Sequence, residues 1–151
     1  MPKHEAYLVD MTVDKFEGDE QYEVQMSHFF AISKETCDSD FVMDYCVIPE
    51  GRISRAHYHI HSALGQYFIK GEGYYICGYG TEDEKKYYFK PGTFIYVPAG
   101  VIHKLVNTGD CAIESVVTYS VGSGEATGKF YVEKPIEEKK TDFEYKQEKE
   151  I

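Results

Sequence analysis

Histidines two residues apart are the first feature of this 151-residue chain with chemical consequence. His57, His59 and His61 recur at that spacing within Ser54–His61, a run whose residues favour an extended strand. Side chains two apart leave one face of a strand, so neighbouring imidazoles of this set can meet at one metal ion. All three cannot do so from a straight strand. Positions four apart lie roughly 13 Å from each other at about 3.3 Å per residue, whereas a metal–nitrogen bond is about 2 Å. Either His57 with His59 or His59 with His61 is the pair. Arg55 precedes His57 by two, and the same parity turns it into the same cavity, where a guanidinium would clamp a carboxylate or an enolate. The competing reading is an outward arginine near the start of the strand.

The elements that must position these groups are strands. Between residues 5 and 130 no apolar repeat of helical period is long enough to define a helix. Short β-branched and aromatic runs recur instead, at Ala6–Thr12, His28–Ser33, Phe41–Ile48, Ser54–His61, Gln66–Lys70, Gly73–Tyr79, Lys86–Lys90, Thr93–Val97, His103–Asn107 and Ile113–Ser120. Turn residues separate them, as in Pro49-Glu50-Gly51, Lys90-Pro91-Gly92 and Asn107-Thr108-Gly109-Asp110. About ten short strands broken in this way predict an antiparallel sandwich or barrel. Within Phe41–Ile48, Met43, Tyr45 and Val47 share a face and Asp44 points the other way.

A second stretch selects among the histidines. Gly92, five residues, Pro98, one residue, Gly100, two residues, His103, three residues and Asn107 form a pattern that resembles the second signature of the cupin superfamily at every fixed position. Gly51, five residues, His57, one residue and His59, with Gly71 beyond, resemble the first signature. The resemblance implies an all-β jelly-roll sandwich, the cupin-type barrel, with His57, His59 and His103 converging on one divalent first-row metal (Fe, Mn, Ni, Co or Zn). One position departs from the pattern. The family's glutamate ligand, five residues after the second histidine and seven before the closing glycine, is Leu64 here. An open three-histidine site is therefore expected, with Gln66 as an optional fourth ligand through its amide oxygen. Arg55, Gln66 and Tyr96 form the expected catalytic set, with Phe68, Tyr75, Cys77 and Tyr79 as further candidates for the pocket wall. His61 is expected near the mouth, Lys104 outward, and His4 and His28 as surface or satisfied strand residues.

The organisation expected is N-terminal strands and loops over 1–40, the barrel over 41–121, and a linker with a charged arm over 122–151. Members of this family of similar size pair through an edge strand, which implies a homodimer. Sixteen basic against 26 acidic residues give a net charge of −10, which opposes a nucleic-acid or anionic-membrane partner. The N-terminus has no charged head followed by an apolar run and nothing approaches 18 consecutive apolar residues, so a cytoplasmic setting is expected. Cys37, Cys46, Cys77 and Cys111 are isolated in sequence and read as free thiols.

Two function classes follow. The first is a metal-dependent enzyme on a small oxygen-rich molecule, either dioxygenase-like or an isomerase or lyase of a sugar-like compound, with the former slightly favoured because no carboxylate base stands near the ligands in sequence. The second is a non-catalytic barrel in which the ion anchors a small-molecule ligand.

Overall fold

A computed structural model describes residues 5–18, 26–122 and 128–132. Positions 123–127 of the expected linker over 122–128, the charged tail from 133 onward and His4 lie outside the described residues. Eleven strands are arranged in chain order: β1 (Glu17–Gly18), β2 (Ser27–Ile32), β3 (Val42–Ile48), β4 (His57–Tyr58), β5 (Leu64–Lys70), β6 (Gly73–Cys77), β7 (Lys85–Phe89), β8 (Phe94–Val97), β9 (His103–Asn107), β10 (Ile113–Tyr119) and β11 (Phe130–Tyr131). Among the described residues a 3-10 turn stands at Val13–Lys15, and one short α-helix, α1 (Lys34–Cys37), is held by a capping box in which Ser33 and Thr36 satisfy each other's backbone N–H groups. The expected strand at Ala6–Thr12 does not form.

The strands make two antiparallel sheets, in the orders β1-β2-β3-β10-β5-β8 and β11-β4-β9-β6-β7. Period-two burial runs through β3 and β10, which pair from Ile48 with Ile113 to Val42 with Tyr119. The inward face of β3 is Val42, Asp44, Cys46 and Ile48, so the face with the lone carboxylate is the buried one. Both faces of that strand carry apolar residues, and the partner of Asp44, described below, decides which turns inward. One half of the space between the sheets is apolar, around Ile48, Phe68, Phe89, Leu105 and Ile113, with Phe68 and Phe89 stacked at 3.7 Å. The other half is where the histidines stand.

The signature residues act as fasteners. Gly71 adopts φ 87°, and a Cβ there would lie 2.9 Å from the Ala112 carbonyl oxygen, so only glycine fits this turn. Asn107 is fully buried and donates to the carbonyls of Pro49 (3.1 Å) and Cys111 (2.9 Å) while accepting from Gly109 N–H (3.0 Å). It ties the turn after β3 to the turn between β9 and β10. At the other end, the turn after Pro98 closes through Val101 N–H to Pro98 O (3.3 Å), and Gly100 N–H donates to His59 O (2.9 Å). That turn delivers His103 to the first residue of β9.

Candidate metal centre

His57 on β4 and His103 on β9 are directly opposed in register. His59 follows beyond the end of β4. The ring centroids are 4.3 Å apart for His57 and His103, 5.2 Å for His57 and His59, and 5.4 Å for His59 and His103. One nitrogen from each ring lies within 4.8 Å of the other two, and all three residues are buried. His61 is not part of this group: the chain bends after His59 and His61 is exposed. The pair on this segment is thus His57 with His59.

The other nitrogen of each ring is already committed. Nδ1 donates to the carbonyl of Arg55 from His57 (2.6 Å), of Gly128 from His59 (3.0 Å) and of Val101 from His103 (2.9 Å). A backbone acceptor on Nδ1 fixes the proton there and leaves Nε2 as a lone-pair donor, the second hydrogen bond that orients metal-ligating imidazoles. The Nε2 of His59 is buried without a hydrogen-bond partner, a costly condition that a cation would relieve. Burial holds all three rings in the neutral form. It takes His57 well below the ordinary value of 6.5, and it pushes His59 down to about 3 and His103 to about 4, with the mutual charge of the rings adding to the effect at His57 and His59. Neutral imidazoles at buried, converging positions fit a divalent transition metal, and His57, His59 and His103 would hold it.

The cavity around the trio is lined by Met26, His28, Leu64, Gln66, Tyr75 and Tyr119, among others, and by Lys129 at its rim. Leu64 occupies the wall with an apolar side chain. Gln66 also faces the cavity, but both ends of its amide are engaged: the oxygen accepts from Tyr75 OH and the nitrogen donates to Ser115 Oγ at 2.8 Å. Its oxygen is turned to Tyr75. Burial raises Tyr75 and Tyr119 well above the ordinary phenol range, so both remain protonated.

Two members of the expected catalytic set stand elsewhere. Arg55 is buried, but its guanidinium lies 3.9 Å over the ring of Tyr131, and Ser54 reaches the cavity in its place. Parity fails because Ile53–Ala56 is not a strand: Ile53 makes an isolated bridge to Val106 and regular pairing begins only at His57. Tyr96 is 69% exposed and pairs with Gly65, on the outer face of its sheet. Phe68 belongs to the apolar core and Tyr79 to a separate cluster with Tyr74 and Ile76. Lys104 does face away from the histidines, yet it is buried, its ammonium 4.9 Å over Tyr79.

The sequence reading also missed groups at the cavity. His28 is buried, and its Nδ1 lies 2.6 Å from Asp44 Oδ2. The lone Asp in the otherwise apolar run of β3 is the signal that could have found this pair. Residues 128–132 are not a free arm: β11 pairs with β4, Val132 N–H donates to Ala56 O, and Gly128 holds His59.

A two-sheet sandwich with three converging histidines that could hold a metal ion defines a cupin-type barrel. The cupin domain family matches residues 44–119, just over half of the chain, and the protein belongs to that family. Glucose-6-phosphate isomerase of Thermococcus onnurineus is 29% identical over 107 residues, covering 66% of this chain and 57% of that protein. The enzyme of the same name from Thermococcus litoralis is 28% identical over 107 residues, covering 66% and 56%. The chain thus spans little more than half the length of these relatives. Among solved structures, the formate complex of Lactobacillus farciminis oxalate decarboxylase superposes with a TM-score of 0.63 at 14% identity, over 72% of this chain and 31% of that one. A Bacillus subtilis oxalate decarboxylase described for its Mn(II) centres gives the same score and identity over 72% and 28%. These likenesses establish the fold as a cupin sandwich.

Proposed function

We propose that this protein is a metal-dependent isomerase of a small phosphorylated sugar or a closely related hydroxy-carbonyl compound. The observation that carries the reading is the convergence of three neutral, backbone-tethered imidazoles in one buried cavity. The names of the two relatives favour the isomerase branch over dioxygenase-like chemistry. A divalent ion held by the trio would supply a Lewis acid that polarises a carbonyl and orients an adjacent oxygen. The chain's residues do the rest: the imidazoles keep their lone pairs inward, Leu64 and Tyr119 exclude water, and Tyr119 remains a hydroxyl donor.

The non-catalytic reading rests on Leu64, which replaces a ligand carboxylate with an apolar wall. Metal-loaded protein, prepared separately with Fe(II), Mn(II), Ni(II), Co(II) and Zn(II), should interconvert an aldose phosphate and its ketose. Glucose 6-phosphate and fructose 6-phosphate are the first pair to test. Tight binding of these compounds with no turnover under any metal would favour the binding module. A homodimer and a cytoplasmic setting complete the proposal. The exposed aromatic residues Tyr67, Phe94 and Tyr96 along β5 and the edge strand β8 support the first, and four free cysteines support the second. Among the described residues, no helix is long and apolar enough to cross a membrane.

A further inference from the structure

Isomerisation through an enediol needs a group that takes a proton from carbon, and the obvious residues do not supply it. The tyrosines of the cavity are held protonated by burial, and His61 lies outside. The three cluster histidines spend Nδ1 on carbonyls and aim Nε2 at one another. Among the described residues that line the cavity, the remaining imidazole is His28. It sits on β2, 6% exposed, stacked on Phe30 at 5.1 Å, and it lines the same cavity as the trio. Asp44 is 1% exposed and its Oδ2 lies 2.6 Å from His28 Nδ1. The opposite nitrogen, Nε2, stands 3.5 Å from Lys129 Nζ at the cavity rim. An ammonium can only donate, so its contact requires a lone pair on Nε2, and the ring proton then sits on Nδ1 facing Asp44.

From this arrangement we propose that His28 is the proton-transfer residue of the cavity, with Asp44 as its positioning residue. The inference rests on the isomerase reading for its substrate, though not for its geometry. His28 Nε2 takes the proton from the carbon next to the ligand's carbonyl. The C–H electron pair becomes the second bond of the enediol carbons, and the carbonyl oxygen receives the negative charge. The proton held on Nε2 is then returned to the former carbonyl carbon, while the neighbouring hydroxyl passes its proton to the oxyanion and becomes the new carbonyl, and the imidazole is neutral again. No oxidant or reductant is required. Asp44 stabilises the imidazolium while it lasts, and Lys129 leaves Nε2 to face the developing oxyanion. The titratable groups around the pair are Lys129 from the segment before β11, Cys46 from β3, Tyr119 from β10 and His59 from beyond β4. Burial raises Asp44 above the ordinary carboxylate range, and the hydrogen bond and charge of His28 with the charge of Lys129 offset part of that rise.

The test separates proton abstraction from isomerisation. Dihydroxyacetone in D₂O is incubated with metal-loaded protein, and loss of its carbon-bound protons is followed by NMR alongside the sugar-phosphate assay. Wild type should exchange the protons faster than the free ion does. His28→Gln should lower the rate on the order of 100-fold while keeping the wild-type metal content. Asp44→Asn should lower it less and shift its pH profile. In metal-free protein, a downfield imidazole N–H signal should disappear in both variants. Exchange without isomerisation would retire the substrate assignment and leave His28 in its role. Equal exchange in wild type and His28→Gln, no exchange by wild type, or loss of metal from His28→Gln would overturn the proposal.

Discussion

His57, His59 and His103 differ from ordinary buried histidines because each is tethered through Nδ1 to a carbonyl. Replacing any one with Ala should lower metal affinity by about 100-fold or more, read by elemental analysis after dialysis, whereas His61→Ala should retain the ion. The same rings make the metal-free fold sensitive to acid. A histidine depressed in the folded state declines a proton that the unfolded chain accepts. Stability is therefore full above the ordinary value of 6.5 and declines as pH falls toward the folded values of about 4 for His103 and about 3 for His59. Each pH unit inside that window costs about 1.4 kcal/mol per histidine. Urea midpoints between pH 6.5 and 5 should fall more gently in His59→Gln, and equal slopes would contradict the assignment. Leu64→Glu tests the departure from the family pattern. An unpaired carboxylate there should cost the metal-free protein about 1–3 kcal/mol, and metal binding should restore the loss by adding a fourth ligand.

At the scale of elements, what could be read beforehand was what local chemistry dictates. The turn glycines, Pro98 and the histidine spacing fixed the two hairpins that meet at the site, and β9 has the expected bounds of His103–Asn107. Arg55 escaped because parity holds only while the backbone is regularly extended, and the chain before His57 is not. Tyr96 escaped because β8 carries large residues on both faces, and its register with Gly65 decides which is outward. His28 and Asp44 meet across 16 residues through the β2–β3 pairing, a relation that no short window contains. β11 is two residues long and has no pattern of its own. Just before it, Lys129 lines the cavity, which measures about 20 Å³ and suits an ion with a water. A sugar phosphate needs more room, and opening of the segment 128–132 would provide it. Amide exchange there should be faster than in β3 and β10, and Tyr131→Ala should speed ligand association while leaving the metal content intact.

At the scale of the molecule, the sandwich divides its labour between its two ends. The closed end carries stability: Phe68→Ala should cost about 3–5 kcal/mol, as truncation of a fully buried aromatic does. The outer face of β5 and β8 presents Phe94 at 78% exposure beside Tyr67 and Tyr96, with Tyr67 and Phe94 rings 4.4 Å apart. A stripe of this kind on an edge strand is suited to a copy of itself. Light scattering should give a dimer for wild type and a monomer for Phe94→Ser with Tyr96→Ser, with identical metal occupancy in both. Cross-strand pairing explains the gain for the edge: β8 has a bonded neighbour on one side only.

The bond from His59 to the carbonyl of Gly128 reaches 69 residues along the chain. It makes the third imidazole a hostage to wherever the C-terminal stretch happens to dock. A protease that cuts between Gly122 and Gly128, or a fusion that pulls on the terminus, would loosen one coordinating ring without touching the barrel. The colour of a cobalt-substituted sample would then serve as a gauge of whether the tail is seated.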